Sequence, residues 1–468
     1  MLMDGRGKPR PYCMEDIWEK ANALHLAREF EAAEKLYDEL LTQNPYNPGL
    51  LATLGTLFLQ TKRTGLAICL LEHAVKIGFR QSDVLSNLGL AYKYSGQQDK
   101  AMALMEESVK KNPSGEALAN YSALFVEAGQ DEKCKAICKR AIDLSPDHPL
   151  AHWNLSLSLL ADGQWERAWD EYEWGLKPGC LRIDRALGGA PAWDGKSPGR
   201  IAAYGEQGIG DEIMFASMLP DLLKTNEVVL ECHTRLKTLF EKSFPGVTCY
   251  GTREELEPKW VDDEQFEHRI AVGSLGQFYR RSRESFPGTP FLKAEPLPKG
   301  EKFRVGISWT GGGQKQGRVH KRSVPLSWWK SILNVPDVEF VSLQYTESSD
   351  DLNMMDALGY SIKRHDDIVV KAHDYYETAR LVASCDLVIS VCTSLIHLAG
   401  GLGVPCWVMT PRHPAWRYQN EGGMPWYKSV RLYRQPEAKQ EAWRAVIERI
   451  GFDLDELVHG RRTLEAVS

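Results

Sequence analysis

The chain has 468 residues, 43% of them hydrophobic and 26% charged, which suits a globular protein of about two to four domains. Its formal net charge of −6 excludes the overall basic character of a nucleic-acid-coating protein, so no nucleic acid partner is expected. No apolar run is long enough to span a membrane, and Met1 to Met14 lacks the apolar core of a signal peptide. A cytoplasmic protein is therefore expected. The ten cysteines read as small buried thiols, with Cys69, Cys134, Cys138, Cys385 and Cys406 set among apolar neighbours. Cys134 and Cys138 lack a second Cys or His pair to complete a zinc site, so no metal is expected.

After a tail, 1–13, a 34-residue beat begins. Leu51, Leu54, Gly55, Phe58, Ala67, Leu71 and Ala74 are followed by Leu85, Leu88, Gly89, Tyr92, Ala101 and Met105, matched pairs standing 34 positions apart. Earlier and later copies hold Ala21, Leu24 and Tyr37, then Leu118, Tyr121 and Phe125, then Leu155, Leu159 and Trp165. The period and its small/large alternation resemble the tetratricopeptide repeat (TPR), a helix–turn–helix unit. About five such units, over 14–180, would stack into a solenoid, because each unit alone cannot bury its apolar face. The small residues allow the two helices of a unit to approach, and Pro45, Pro113 and Pro146 end second helices. These residues read as core. The resemblance implies a groove for an extended partner.

The last unit carries Trp165, Trp169, Tyr172 and Trp174, expected to glue the solenoid to the next domain rather than to bind sugar. A Gly- and Pro-rich linker, 181–198, comes next. From residue 199 the period changes. Short apolar runs at 200–205, 228–233, 247–250 and 269–272 alternate with helical stretches, including Ile213–Lys224. A second series runs at 303–309, 339–344, 361–364, 386–391, 405–410 and 430–433, with a final helix around Glu437–Ile450. Such alternation predicts parallel sheets. The expected fold class is thus α plus α/β: a helical solenoid, then two Rossmann-like halves, 199–295 and 302–468, with a cleft between them.

Open parallel sheets bind ligands at the carboxyl ends of their strands, and three segments fall there. In the first, Glu206, Gln207, Gly208, Gly210 and Asp211 join a strand to a helix. Asp211 reads equally as an N-cap carboxylate or as a general base. The second runs from Trp309 through Gly311, Gly312 and Gly313 to Arg322, a glycine-rich loop loaded with cations. It suits phosphate or is a solvated loop. The third runs from Ser390 to Gly403, where a helix begins near Thr393 with His397 about one turn in. Free N–H groups at such a start bind phosphate, while a lone His is commonly structural.

In this order, the junction Pro191–Gly195, the EQGIGD element, RVGISW at 304–309, the DLVISV…TS…HLAGGLG block, Trp416-Arg417 and Pro425-Trp426-Tyr427 carry a resemblance. The chain resembles bacterial TPR glycosyltransferases of the GT-B fold, from about residue 14 onward. Its C-terminal part is similar to the heptosyltransferase family (glycosyltransferase family 9), and its architecture is similar to O-linked N-acetylglucosamine transferase. The resemblance implies inverting, metal-independent transfer of a sugar from a nucleotide-sugar to a hydroxyl of a protein or glycan. Asp211 matches the catalytic base. Arg322 matches a donor-phosphate contact, and Thr393, Ser394 and His397 match the donor-binding turn and helix. Gly311, Gly312 and Leu395 go with the donor side, and Glu206, Gln207, Gly208 and Gly210 with the acceptor side.

No Asp-x-Asp metal pair stands at a strand end, and Asp262-Asp263 and Asp350-Asp351 fall in polar loops. One position departs from the family pattern: Cys392 stands where the family has Asp. That departure leaves a second expectation, a nucleotide-sugar-binding TPR scaffold with weak or no turnover.

Overall fold

The computed structural model describes residues 14–311, 322–346 and 348–460, so the tail and the cationic stretch with Gly312 lie outside the described residues. Of these, 14–127 with 136–151 form one compact unit, and 128–135 with 152–460 form a second.

The 34-residue beat appears as helices α1 (Met14–Leu26), α2 (Phe30–Gln43), α3 (Pro48–Gln60), α4 (Thr64–Lys76), α5 (Ser82–Tyr94), α6 (Gln98–Lys111), α7 (Gly115–Ala128), α8 (Asp131–Leu144), α9 (Pro149–Ala161) and α10 (Trp165–Tyr172). The glycines do what their spacing suggests. A Cβ on Gly55 would lie 2.8 Å from Leu71 Cγ, and a Cβ on Gly89 would lie 2.7 Å from Met105 Cγ. The same contact thus recurs one period on. Ala67, Leu71, Ala101 and Met105 are fully buried. Cys69 departs from the expected burial and is exposed. Ala67, Leu71 and Ala74 turn one face of α4 inward, and position 69 points to the opposite side.

The turn inside each helix pair has its own period. Arg28, Lys62, Gly96, Gly129 and Gly163 all have positive φ, the left-handed conformation that closes a helix end. At Gly96 an added Cβ would meet nothing within 4 Å, so only the backbone resists a side chain there. Gly96→Ala is expected to destabilise the first unit by about 1 kcal/mol, read as a shift of the urea midpoint. An unchanged midpoint would contradict the turn assignment.

In the second unit α9 and α10 pack against later segments. Gln419 Nε2 donates to Leu160 O (2.8 Å), and Trp169 Nε1 donates to Arg280 O (2.7 Å). Trp165, Trp169 and Tyr172 are all buried. Two separate sheets come next in the chain. Strands β1 (Arg200–Tyr204), β2 (Glu227–Glu231), β3 (Thr248–Tyr250) and β4 (His268–Ala271) form the first, in the order β3-β2-β1-β4. Strands β5 (Phe303–Ser308), β6 (Val338–Ser342), β7 (Ile362–Lys363), β8 (Leu387–Val391), β9 (Cys406–Thr410) and β10 (Val430–Arg434) form the second, in the order β10-β9-β8-β5-β6-β7. All these pairings are parallel; Ala203 faces Leu230 and Ile270, and Ile307 faces Ser342 and Ile389. Read from β7, the second sheet runs 3-2-1-4-5-6, the doubly wound order, whose chain reverses direction between β5 and β8. β8 and β9 are buried at every position, as the continuous apolar runs of covered parallel strands require.

Two helices differ from expectation in their bounds. The helix after β1 is α11 (Ile209–Ala216), starting earlier than Ile213 and ending before a separate turn, Leu219–Leu222. Pro220 sits in the first turn of that new element, where its missing N–H costs nothing. α12 (Tyr375–Ala383) and α13 (Ser394–Leu402) flank β8 in sequence. The final helix, α14 (Trp443–Val458), starts and ends later than the expected Glu437–Ile450, because a short 3-10 turn, Gln440–Ala442, precedes it. The buried face of α14, with Trp443, Ile447 and Ile450, joins the core of the second sheet beside Val305 and Trp329. Among the described residues no helix is long and apolar enough to cross a membrane.

Candidate functional site

The first sheet delivers its residues through the β1–α11 connection. Gly205 is glycine because a Cβ would lie 2.4 Å from Glu212 Cδ. Glu212 lies underneath the connection, accepting from His233 N (2.9 Å) and from the Arg253 guanidinium. Burial pushes its carboxyl up, to about 8. Glu206 is equally enclosed, at 4% exposure. It accepts from Arg182 Nε (3.1 Å) and Gln207 Nε2 (3.1 Å), and burial raises its carboxyl. Gln207 also donates to Tyr172 OH (2.7 Å). The carboxylates on either side of Asp211 are therefore tied into buried networks.

Gly208, in extended conformation, occupies the N-cap position of α11 and offers no side chain to cap it. Asp211 lies inside the first turn, and its carboxylate is held by Arg417 rather than by the helix N–H groups: Arg417 Nε donates to Oδ1 at 2.6 Å, and Nη2 donates to the same oxygen. The N-cap reading of Asp211 is thus replaced by an ion pair, between side chains that are 17% and 20% exposed.

The second sheet contributes the crevice between β5 and β8. Gly311 fits between two turns, since a Cβ there would lie 3.1 Å from Cys392 O and 3.3 Å from Arg322 O. Gln344, buried at the end of β6, fixes the exit of β5. Its Oε1 accepts from Trp309 N (3.1 Å) and Thr310 N (3.0 Å), while Nε2 donates to Thr310 O (3.0 Å). Asp351 accepts from Trp309 Nε1 (2.7 Å). It lies not in a loop but in the first turn of the helix Ser349–Ala357, where a carboxylate suits the helix dipole. Asp262 and Asp263 likewise lie in a short helix, Trp260–Asp263, and not in a loop. Arg322 has no carboxylate partner among the described residues.

Thr393 is the N-cap of α13, its hydroxyl accepting from Leu395 N (3.3 Å). It takes the capping role that an Asp at 392 could fill. Cys392 is a buried thiol, pushed up to about 11 by its burial, so it brings no negative charge. Ser394 Oγ meets Tyr375 OH at 3.0 Å. Leu395 is buried. His397 is also buried and shares a hydrogen bond with Tyr427 OH (3.1 Å). Burial, with Arg417 adding to it, lowers the imidazole to about 3. His397 is therefore expected to stay neutral from pH 5 to 8. Its ring NMR signals should hold still while those of exposed histidines titrate; titration near pH 6.5 would contradict the burial.

The starts of α11 and α13 meet. A Cβ on Gly210 would lie 3.2 Å from both Ser394 Cα and His397 Cδ2. Asp211, Gly208, Gly210, Ser394 and His397 are thereby brought together, with Thr393 and Gly311 adjoining along the second crevice. Sequence reasoning missed Arg417, Gln344, Tyr375 and Tyr427 as site members. Arg417 and Tyr427 stood in the quoted WR and PWY motifs, but nothing local pointed to their partners. Two cavities lie elsewhere, one of about 270 Å³ beside Asp221, Arg280 and Trp426, the other beside Trp165 and Arg281.

The chain thus has a TPR-like helical region followed by a parallel-sheet α/β region, and residues 82–114 match the tetratricopeptide repeat family. Protein FlbA of Caulobacter vibrioides is 28% identical over 405 residues, which span 80% of this chain and 67% of that protein. Among solved structures, YrrB, described as a TPR protein with an unusual peptide-binding site, is 18% identical and covers 35% of this chain and 85% of its own, at a TM-score of 0.29. A thermophilic TPR protein of Thermus thermophilus is 20% identical and covers 36% of this chain and 92% of its own, at a TM-score of 0.32.

Proposed function

We propose that the chain is a glycosyltransferase of GT-B type, moving a sugar from a nucleotide-sugar to a hydroxyl of a protein or glycan. The observation that carries the reading is the meeting of α11 and α13, which sets Asp211 of one sheet against the β5/β8 crevice of the other. In this reading 199–295 holds the acceptor and 302–468 the donor. The donor diphosphate lies along Gly311, Arg322 and the N–H groups at the start of α13. Asp211 takes the acceptor proton, the acceptor oxygen attacks the anomeric carbon, and the nucleotide leaves from the opposite face, which inverts the centre. The helix N–H groups and Arg322 offset the leaving charge, so the step calls for no metal ion. The repeats hold the acceptor, or the protein that carries it, in their groove.

Cys392 favours a second reading, a TPR scaffold that binds nucleotide-sugar with little turnover, because a protonated thiol replaces the family carboxylate.

Calorimetry against UDP-, GDP-, ADP-, TDP- and CMP-sugars tests the donor site. One donor class is expected to bind, and Arg322→Ala is expected to weaken it by about 1.5–3 kcal/mol, as for a hydrogen bond to a charged group. Binding by no nucleotide-sugar would remove both readings. Binding untouched by Arg322→Ala would move the phosphates elsewhere.

A further inference from the structure

Arg417 belongs to the β9–β10 connection of the second sheet, and the residue it grips to the β1–α11 connection of the first. It sits in the turn Trp416–Tyr418, and Asp211 lies 206 positions earlier on α11. A guanidinium facing a carboxylate commonly bonds both oxygens, one N–H to each. Here both donors, Nε and Nη2, go to Oδ1. Oδ2 accepts no hydrogen bond among the described residues. It faces Gly208, where an added Cβ would lie 3.4 Å away, and Gly208 is exposed. One oxygen of Asp211 is therefore anchored, and the other looks out past a residue that has no side chain. Arg417 is itself fixed: its guanidinium lies over the Trp416 ring (5.1 Å), and Trp416 is buried among Trp169, Tyr172, Phe215 and Trp426.

We propose that Arg417 is the positioning residue of the site, fixing Asp211 through Oδ1 so that Oδ2 is the atom that takes the acceptor's proton. The inference rests on the glycosyl-transfer reading. In the step, the acceptor O–H bond breaks and its proton passes to Oδ2. The acceptor oxygen bonds to the anomeric carbon, and the carbon–oxygen bond to the diphosphate breaks, its electron pair leaving with the nucleotide. Arg417 touches neither sugar nor phosphate; it removes the rotation that would carry Oδ2 away from the acceptor.

The test uses the full chain, water as acceptor, and the nucleotide-sugar that the panel identifies, with release of the nucleotide followed. Arg417→Gln is expected to lower kcat by about 10–100-fold with the donor KM unchanged. Arg417→Lys, which keeps the charge, should recover part of that loss. The double variant Arg417→Gln with Asp211→Asn should be no slower than Asp211→Asn alone, because the two residues act as one unit. Losses that multiply, or a raised KM at normal kcat, would overturn the inference. Should Arg417→Gln fail to fold, Arg417→Lys decides: lowered kcat at unchanged KM supports the role, and unchanged kcat removes it. If the unsubstituted chain turns over no nucleotide-sugar, the glycosyl-transfer reading itself falls and this inference with it; turnover with independent losses removes the inference alone.

Discussion

Replacing Asp211 by asparagine is expected to slow sugar transfer by about 10²–10⁴, or roughly 3–5 kcal/mol of barrier, the usual loss when a general base is removed. The substitution keeps the shape and leaves Arg417 an amide oxygen to bond, so melting temperature and donor affinity should hardly move. A structural role predicts the reverse. The structure narrows the alternatives, since the cap position of α11 belongs to Gly208 and not to Asp211. Neighbouring carboxylates are poor substitutes, because Glu206 and Glu212 are enclosed by Arg182 and by Arg253. Early melting with normal turnover would reduce Asp211 to an ion-pair partner.

The second large effect is one of stability. Trp169→Ala is expected to destabilise the second unit by about 3–5 kcal/mol, the range for truncating a buried aromatic side chain. Trp169 is 1% exposed and packs edge-on against Tyr172, Phe215 and Trp416. Gly276 is glycine beneath it, since a Cβ would lie 2.7 Å from the indole ring. Truncation also strands the carbonyl of Arg280, which receives the indole N–H. Because Trp416 precedes Arg417, the loosened cluster should lower turnover as well. Trp169→Phe keeps an aromatic ring but not the N–H, and should cost less. Calorimetric unfolding of the three proteins checks the order. Equal melting of Trp169→Ala and the unsubstituted chain would show that this cluster does not hold the unit together.

The repeat was legible because its packing is periodic: Gly55 against Leu71 and Gly89 against Met105 are one contact written twice. The strands were legible for a similar reason, since each is a short apolar run closed by a polar or glycine-containing segment. The observed strand ends fall within two residues of those runs. Boundaries governed by a missing side chain were harder to read. Gly208 starts α11 without a polar cap, so local signals put the helix start too late. The placement of the candidate site residues was legible at the strand ends, where Asp211 and Thr393 sit on local strand–turn–helix signals and Gly311 follows a strand. Its cross-connections were not. Arg417 with Asp211, Tyr427 with His397 and Gln344 with Trp309 join positions far apart in the chain, and no local spacing encodes such pairs. Cys69 was misplaced because apolar neighbours in sequence do not say which face of a helix is covered.

In the proposed reaction Asp211 activates a hydroxyl against a nucleotide-sugar. Its most direct test is release of the nucleotide from UDP-, GDP-, ADP-, TDP- and CMP-sugars by the full chain and by Asp211→Asn, side by side. Release from one donor class is expected from the unsubstituted protein, lowered by about two orders of magnitude or more in Asp211→Asn while donor binding persists. Release from none of them, or equal release by both proteins, would contradict it.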